Sequence, residues 1–176
     1  TNIHNEGYDA AVVTSFPDDS SFISRKITGN RNVICASPDY LSTYGEPISP
    51  QDLAHHQSLL YTPREPHGVW SLSVNGVLKT FRVRGHFRTN NLYQLMESTI
   101  SGMGIAIIPV YLAVDAIVAG KLKIVMPEYT PEGGDIAIIY GKAMRASPKI
   151  DILENFLRER FKNTPEWEEK MKLFSK

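Results

Sequence analysis

The stretch Val33–Gln57, VICASPDYLSTYGEPISPQDLAHHQ, restricts the fold more than any other part of the chain. Its first residues, Val33-Ile34-Cys35-Ala36, form a short apolar run that suits a buried strand. Ser37 can then cap a helix, and Pro38 fits the first helical position, where its missing N–H costs nothing. Gly45 is placed to stop that helix after Tyr44. Ser49, Pro50 and Asp52 repeat the start signal before Leu53 and His55-His56. A strand followed at once by two punctuated helices belongs to a layered α/β protein.

The same alternation runs along the whole chain. Ala10–Val13, Ser58–Tyr61, Ile105–Ile108 and Ile136–Tyr140 read as strands. Trp70, Leu72 and Val74 alternate up to Asn75-Gly76, a strong hairpin signal. Beyond it Phe81, Val83 and Phe87 alternate with Arg82, Arg84 and Arg88, which predicts one buried face and one solvated face. Thr89-Asn90-Asn91 can cap a helix in which Leu92, Leu95, Met96, Thr99 and Met103 recur at helical spacing. Pro109 opens another helix that ends at Gly120. Ser147 starts a last helix with Ile150, Leu153, Leu157 and Phe161 on one side, and Trp167, Met171 and Phe174 pack locally behind it. Phe22–Ile27 and Leu122–Val125 read as extended crossovers.

These elements carry a resemblance that covers the chain to about Lys162. The block around ASPDYLSTYGEPISPQDLAHH resembles the entry into the second lobe of the effector-binding domain of LysR-type transcriptional regulators. Gly7-Tyr8-Asp9-Ala10-Ala11-Val12 is similar to that family's first strand, and Ser20-Ser21-Phe22-Ile23 to its crossover. Ser101-Gly102-Met103-Gly104-Ile105-Ala106-Ile107-Ile108-Pro109 resembles its helix-to-strand junction. Gly120-Lys121-Leu122 and Ser147-Pro148-Lys149 resemble its return crossover and last helix.

The resemblance implies a two-lobe fold like that of periplasmic binding proteins. Residues 1–25 and 124–176 would form the outer lobe, and 26–123 the inner lobe. It also implies a cytoplasmic sensor, a homodimer or higher oligomer, in which a small molecule between the lobes controls DNA binding by a separate N-terminal winged helix-turn-helix. That helix-turn-helix and the first strand–helix–strand unit of the outer lobe have no counterpart in the sequence. The outer lobe is therefore expected to be incomplete or completed by something else, with Thr1 a cut point in a longer protein. A solute-binding protein of similar fold is the alternative.

Composition narrows the partners. Nineteen basic residues balance nineteen acidic ones in the 176-residue chain, so the chain itself is not expected to grip DNA. A lone cysteine excludes an internal disulfide, and Cys35 in its apolar run reads as a small buried hydrophobe. No apolar run approaches the ~20 residues of a membrane span.

Effector-binding candidates lie where strands end and helices begin. Thr14 and Ser15 close the first strand, and Ser37 and Pro38 close the second. Thr89 and Asn90 precede a helix, and Pro109 shapes a wall. Each of the polar residues offers a hydroxyl or amide, and helix starts favour an anion.

No metal, cofactor or catalytic group is expected. His55 and His56 are adjacent, diverge, and read as solvated or capping. Gly102-Met103-Gly104 runs helix to strand, the wrong order for a phosphate loop. Asp18-Asp19 reads as a solvated turn.

Overall fold

The computed structural model describes residues 7–14, 21–162 and 164–174. In chain order the strands and helices are β1 (Ala11–Val13), β2 (Phe22–Gly29), β3 (Asn32–Ala36), α1 (Pro38–Tyr44), β4 (Leu60–Tyr61), β5 (Val69–Val74), β6 (Val77–Arg82), β7 (Arg88–Thr89), α2 (Leu92–Ile100), β8 (Ala106–Pro109), α3 (Val110–Val118), β9 (Lys123–Ile124), β10 (Asp135–Gly141), α4 (Pro148–Arg160) and α5 (Glu166–Phe174). A 3-10 turn, Pro50–His55, follows α1 as its second start signal predicts.

The chain forms two compact units. One holds residues 1–30 and 133–169, the other 31–132 and 170–176. Both divisions fall later than the sequence pattern suggests. β2 is a paired crossover strand. It pairs with β10 as far as Gly29, and Asn30 donates its N–H to the Gly134 carbonyl at 2.9 Å. β9 stays within the inner unit, where Ile124 pairs with Cys35, and the chain returns to the outer unit only after Glu132. The end of α5 groups with the inner unit, where Lys170 Nζ lies 2.7 Å from Asp115.

The outer unit is an antiparallel sheet in the order β1-β10-β2. Ile138, Tyr140 and Ile150 form its buried core, with Ile23, Ile27 and Leu157 packed against them. Helix α4 departs from the expected stripe. Leu153 is exposed, and Glu154 is the buried neighbour of Ile150 one turn on. Glu154 is held there by Arg25 and Arg158, and this pairing makes a carboxylate tolerable at a buried position.

The inner unit has a larger core. Ile34, Leu60, Trp70, Leu72, Ile105 and Ile107 are all buried to within 2 % exposure. Asn75 and Gly76 adopt φ of 54° and 76°, the geometry of a type I′ turn between β5 and β6. Close backbone approach explains Gly85, since a Cβ there would stand 1.7 Å from the Ser58 carbonyl oxygen. Gly104 follows the same logic, with the Gln57 carbonyl 2.4 Å from where its Cβ would be.

Candidate functional site

Strand direction decides which candidates meet. β3 and β8 are antiparallel, with Asn32 opposite Pro109 and Cys35 opposite Ala106. Ser37 lies five residues beyond Asn32 along the chain, about 16 Å at the strand rise. Ser37 and Pro109 therefore end their strands at opposite ends of the sheet. The expectation that strand ends converge holds for parallel strands, and β3 is the strand that runs the other way. At its end Ser37 is buried, and its Oγ accepts the Tyr40 N–H at 3.2 Å, capping α1. Pro38 opens α1 and is exposed.

The other inner-unit candidates do converge. A parallel bridge joins Ser58 to Ile105, and β4 runs parallel to β7 with Tyr61 opposite Thr89. β4, β7 and β8 thus point the same way. Their ends, Tyr61-Thr62, Thr89-Asn90 and Pro109, share one rim where α2 and α3 begin. Thr89 is buried and ties the rim together. Its Oγ1 donates to Gln94 Oε1 at 2.9 Å and accepts the Asn91 N–H at 3.0 Å. Its carbonyl accepts the Thr62 N–H at 2.9 Å.

The cap of α2 is Asn91, the last residue of the run expected to cap it. Asn91 Oδ1 accepts the Tyr93 N–H at 2.9 Å and the Gln94 N–H at 3.2 Å. Asn90 is left exposed on the rim. Helix α3 has no side-chain cap at Pro109; the Val110 N–H donates to the Arg31 carbonyl at 2.8 Å, and the positive end of the helix dipole faces the rim.

Residues that sequence reasoning missed surround this rim. Tyr61 ends β4, Tyr93 lies in the first turn of α2, and Tyr111 in the first turn of α3. Burial pushes the Tyr111 hydroxyl above its ordinary range, and the nearby Tyr93 and Tyr61 push it the same way. The Arg64 guanidinium lies 5.9 Å from the Tyr61 ring centroid. Glu65 is only 3 % exposed. The tyrosines carried a sequence signal, since each stands at a strand end or in a first helical turn. Glu65 carried none, because it lies in the turn-like run TPREPHG.

Thr14 ends β1 in the outer unit and is exposed. Its carbonyl oxygen is 3.1 Å from a Cβ built on Gly134. Ser15 and the Asp18-Asp19 pair lie outside the described residues. Of the solvated or capping readings, His56 takes the second: it ends the Pro50–His55 turn, is buried, and its Nδ1 pairs with the Tyr40 hydroxyl at 3.2 Å. Among the described residues, no group of three or more His, Cys, Asp or Glu could hold a metal. Nor is any described helix long and apolar enough to cross a membrane. Gly102 sits after α2 with φ 80°, a left-handed conformation that stops the helix.

A family model for the LysR substrate binding domain matches residues 2–162. This chain belongs to that family. The fold of the LysR domain, two lobes like a periplasmic binding protein, accounts for its two compact units. An uncharacterised HTH-type transcriptional regulator of Haemophilus influenzae is 34 % identical over 136 residues, which cover 77 % of this chain and 47 % of the relative. The HTH-type transcriptional activator AaeR of Escherichia coli is 28 % identical over 156 residues, covering 89 % of this chain and 50 % of AaeR. The LysR domain thus spans about half the length of the curated relatives it matches.

Among solved structures, the regulatory domain of CrgA from Neisseria meningitidis superposes with a TM-score of 0.76 at 25 % identity, covering 89 % of this chain and 76 % of that one. A longer CrgA structure gives 0.79 at 26 % identity, covering 92 % and 55 %. These relatives are described as transcriptional regulators, which favours a regulatory domain over a solute-binding protein.

Proposed function

We propose that this chain is the effector-sensing domain of a LysR-type transcription regulator, and that its inner unit takes a small anion at the rim formed by Thr89, Asn90 and Pro109. One observation supports the site above the others. Three parallel strand ends share that rim with the start of α3. The rim offers the exposed Asn90 amide and the positive end of the α3 dipole, so it suits a small anion such as a carboxylate. Ser37 and Pro38, at the other sheet end, are assigned to capping. Thr14 and Ser15 are kept as candidates on the strand-end pattern of the sequence alone.

In this reading the domain performs no catalysis and works in the cytoplasm. It associates as a dimer or larger species and acts on DNA through a helix-turn-helix elsewhere in the full protein. The effector biases one of two arrangements by binding it more tightly.

A thermal-shift screen of small mono- and dicarboxylates tests the reading. A ligand that binds only the folded state adds ~2.7 kcal/mol at a hundred times its dissociation constant. The expected result is a hit whose affinity falls in Asn90→Ala. A screen without hits, or a hit indifferent to Asn90→Ala, would overturn the assignment.

A further inference from the structure

Glu65 is a buried carboxylate that the effector site, as described, does not use. Its Oε2 accepts the Tyr61 N–H at 2.7 Å, and its Oε1 accepts Arg64 Nε at 2.6 Å. Arg64 then donates from Nη2 to the Ile107 carbonyl at 2.7 Å. Tyr61 ends β4, and Ile107 lies in β8 two residues before Pro109. One short chain of bonds therefore runs from the end of β4 through Glu65 and Arg64 to β8. Thr62 extends it to β7, since its N–H reaches the Thr89 carbonyl at 2.9 Å.

We propose that Glu65 is a positioning residue for the rim: its buried carboxylate, acting through Tyr61 and Arg64, fixes the end of β4 against β8. This rests on the reading of the rim as the effector site.

A plain stabilising ion pair is the competing account, and the energetics disfavour it. Burial pushes the Glu65 carboxyl above its ordinary range, while Arg64 and the Tyr61 amide pull it only part of the way back. The ionised form is thus held at a net cost to stability, which a neutral residue of the same shape would avoid. The other charged groups nearby do not supply the missing compensation. A cavity of about 100 Å³ beside the pair is lined by Asn32, Ser71 and Glu132, among others, so a second carboxylate faces it. Arg88 is turned to the Pro66 carbonyl, 3.0 Å from its Nη2.

Glu65 has a raised folded value, so the carboxylate forms only as pH climbs above the ordinary range for glutamate. The tie through Arg64 should tighten over that window, even as the charged group costs stability.

The test uses the whole chain and needs no ligand. Amide hydrogen exchange at Tyr61 and Thr62, corrected for intrinsic rates, is followed from about pH 4.5 to 7.5 in wild type, Glu65→Gln and Glu65→Ala. In wild type, protection at these amides should rise about tenfold with pH, while Leu72 in β5 stays flat. In Glu65→Gln it should be low and flat, with a melting temperature at neutral pH equal to or above wild type. Wild-type protection in Glu65→Gln would overturn the proposal. So would an equal loss at Leu72 with a lowered melting temperature, the mark of a merely structural pair. Glu65→Ala should match Glu65→Gln at Thr62; retained protection there would also count against the proposal. Failure of the effector reading appears separately, as unchanged ligand affinity in Asn90→Ala.

Discussion

Asn32 stands opposite Pro109 across the antiparallel β3–β8 pair. That register puts the start of β3, not its end, beside the helix that Pro109 opens. It separates two groups of residues that look alike in sequence, Ser37-Pro38 and Thr89-Asn90. Both pairs follow a strand and precede a helix. Only Thr89-Asn90 lies at the end where parallel strands finish together.

Gly85→Ala should be strongly destabilising. Its Cβ would stand 1.7 Å from the Ser58 carbonyl oxygen and 2.9 Å from the Ser58 carbonyl carbon, both backbone atoms that cannot rotate away. Overpacking of this kind costs about 1–3 kcal/mol or more. Urea unfolding should show a lowered midpoint; Gly76→Ala, where the Cβ meets open space, isolates the cost of positive φ alone.

Cys35 should be inert. It is fully buried, and burial pushes its thiol up to about 12, far from the thiolate that reacts. An aromatic disulfide reagent at pH 8 should label it only on unfolding. Rapid labelling of the native chain would contradict its place in β3.

The Pro47–Asp52 segment should show acid sensitivity. Asp52 Oδ2 accepts the Ile48 N–H at 3.0 Å, the Ser49 N–H at 2.9 Å and the Ser49 hydroxyl at 3.0 Å. These bonds, led by the Ile48 amide, hold the carboxyl below its ordinary 3.8. A depressed folded value stabilises above the unfolded one and is lost as pH falls through the folded one, so the window lies below about pH 4. The segment is solvent-screened, so the contribution is at most about 1 kcal/mol. Asp52→Asn should lose it at pH 7 and differ little from wild type near pH 2.

The chain should associate. On α4, Ile152 and Phe156 are 70 % and 66 % exposed, and on β6 Val77 and Leu78 are 61 % and 63 % exposed. Exposed apolar side chains of this size mark candidate interfaces on each unit by itself. Sedimentation at tens of micromolar should show a dimer or larger species. Ile152→Glu with Phe156→Glu should shift it toward monomer; a strict monomer in the wild type would count against this surface.

Much of the fold was legible because its signals are local. Ser37 caps α1 through its own side chain and Asn75-Gly76 turn through their own φ angles, and the structure places both as read. The unit boundaries were less legible. How far Phe22–Gly29 stays with the outer unit depends on pairing with β10, more than a hundred residues away. The rim was legible in part. Thr89 and Pro109 were found as strand ends, but strand direction is a property of the sheet, and it removes Ser37 from their company. Asn91 took the cap because its side chain, not that of Asn90, reaches back to the Tyr93 and Gln94 amides. Glu65 was invisible, since nothing in its neighbours announces that a charged turn residue will be buried.

The most direct test of the effector rim is calorimetric titration of a carboxylate hit into wild type, Asn90→Ala and Ser37→Ala, paired with melting curves. Deleting a partner of a buried polar group costs ~1–3 kcal/mol, about ten- to a hundredfold in affinity. Asn90→Ala should lose that affinity and keep its melting temperature. Ser37→Ala should lose ~1 kcal/mol of stability as a cap and keep its affinity. The reverse pattern, with affinity lost in Ser37→Ala and kept in Asn90→Ala, would place the ligand at the other end of the sheet and contradict the account.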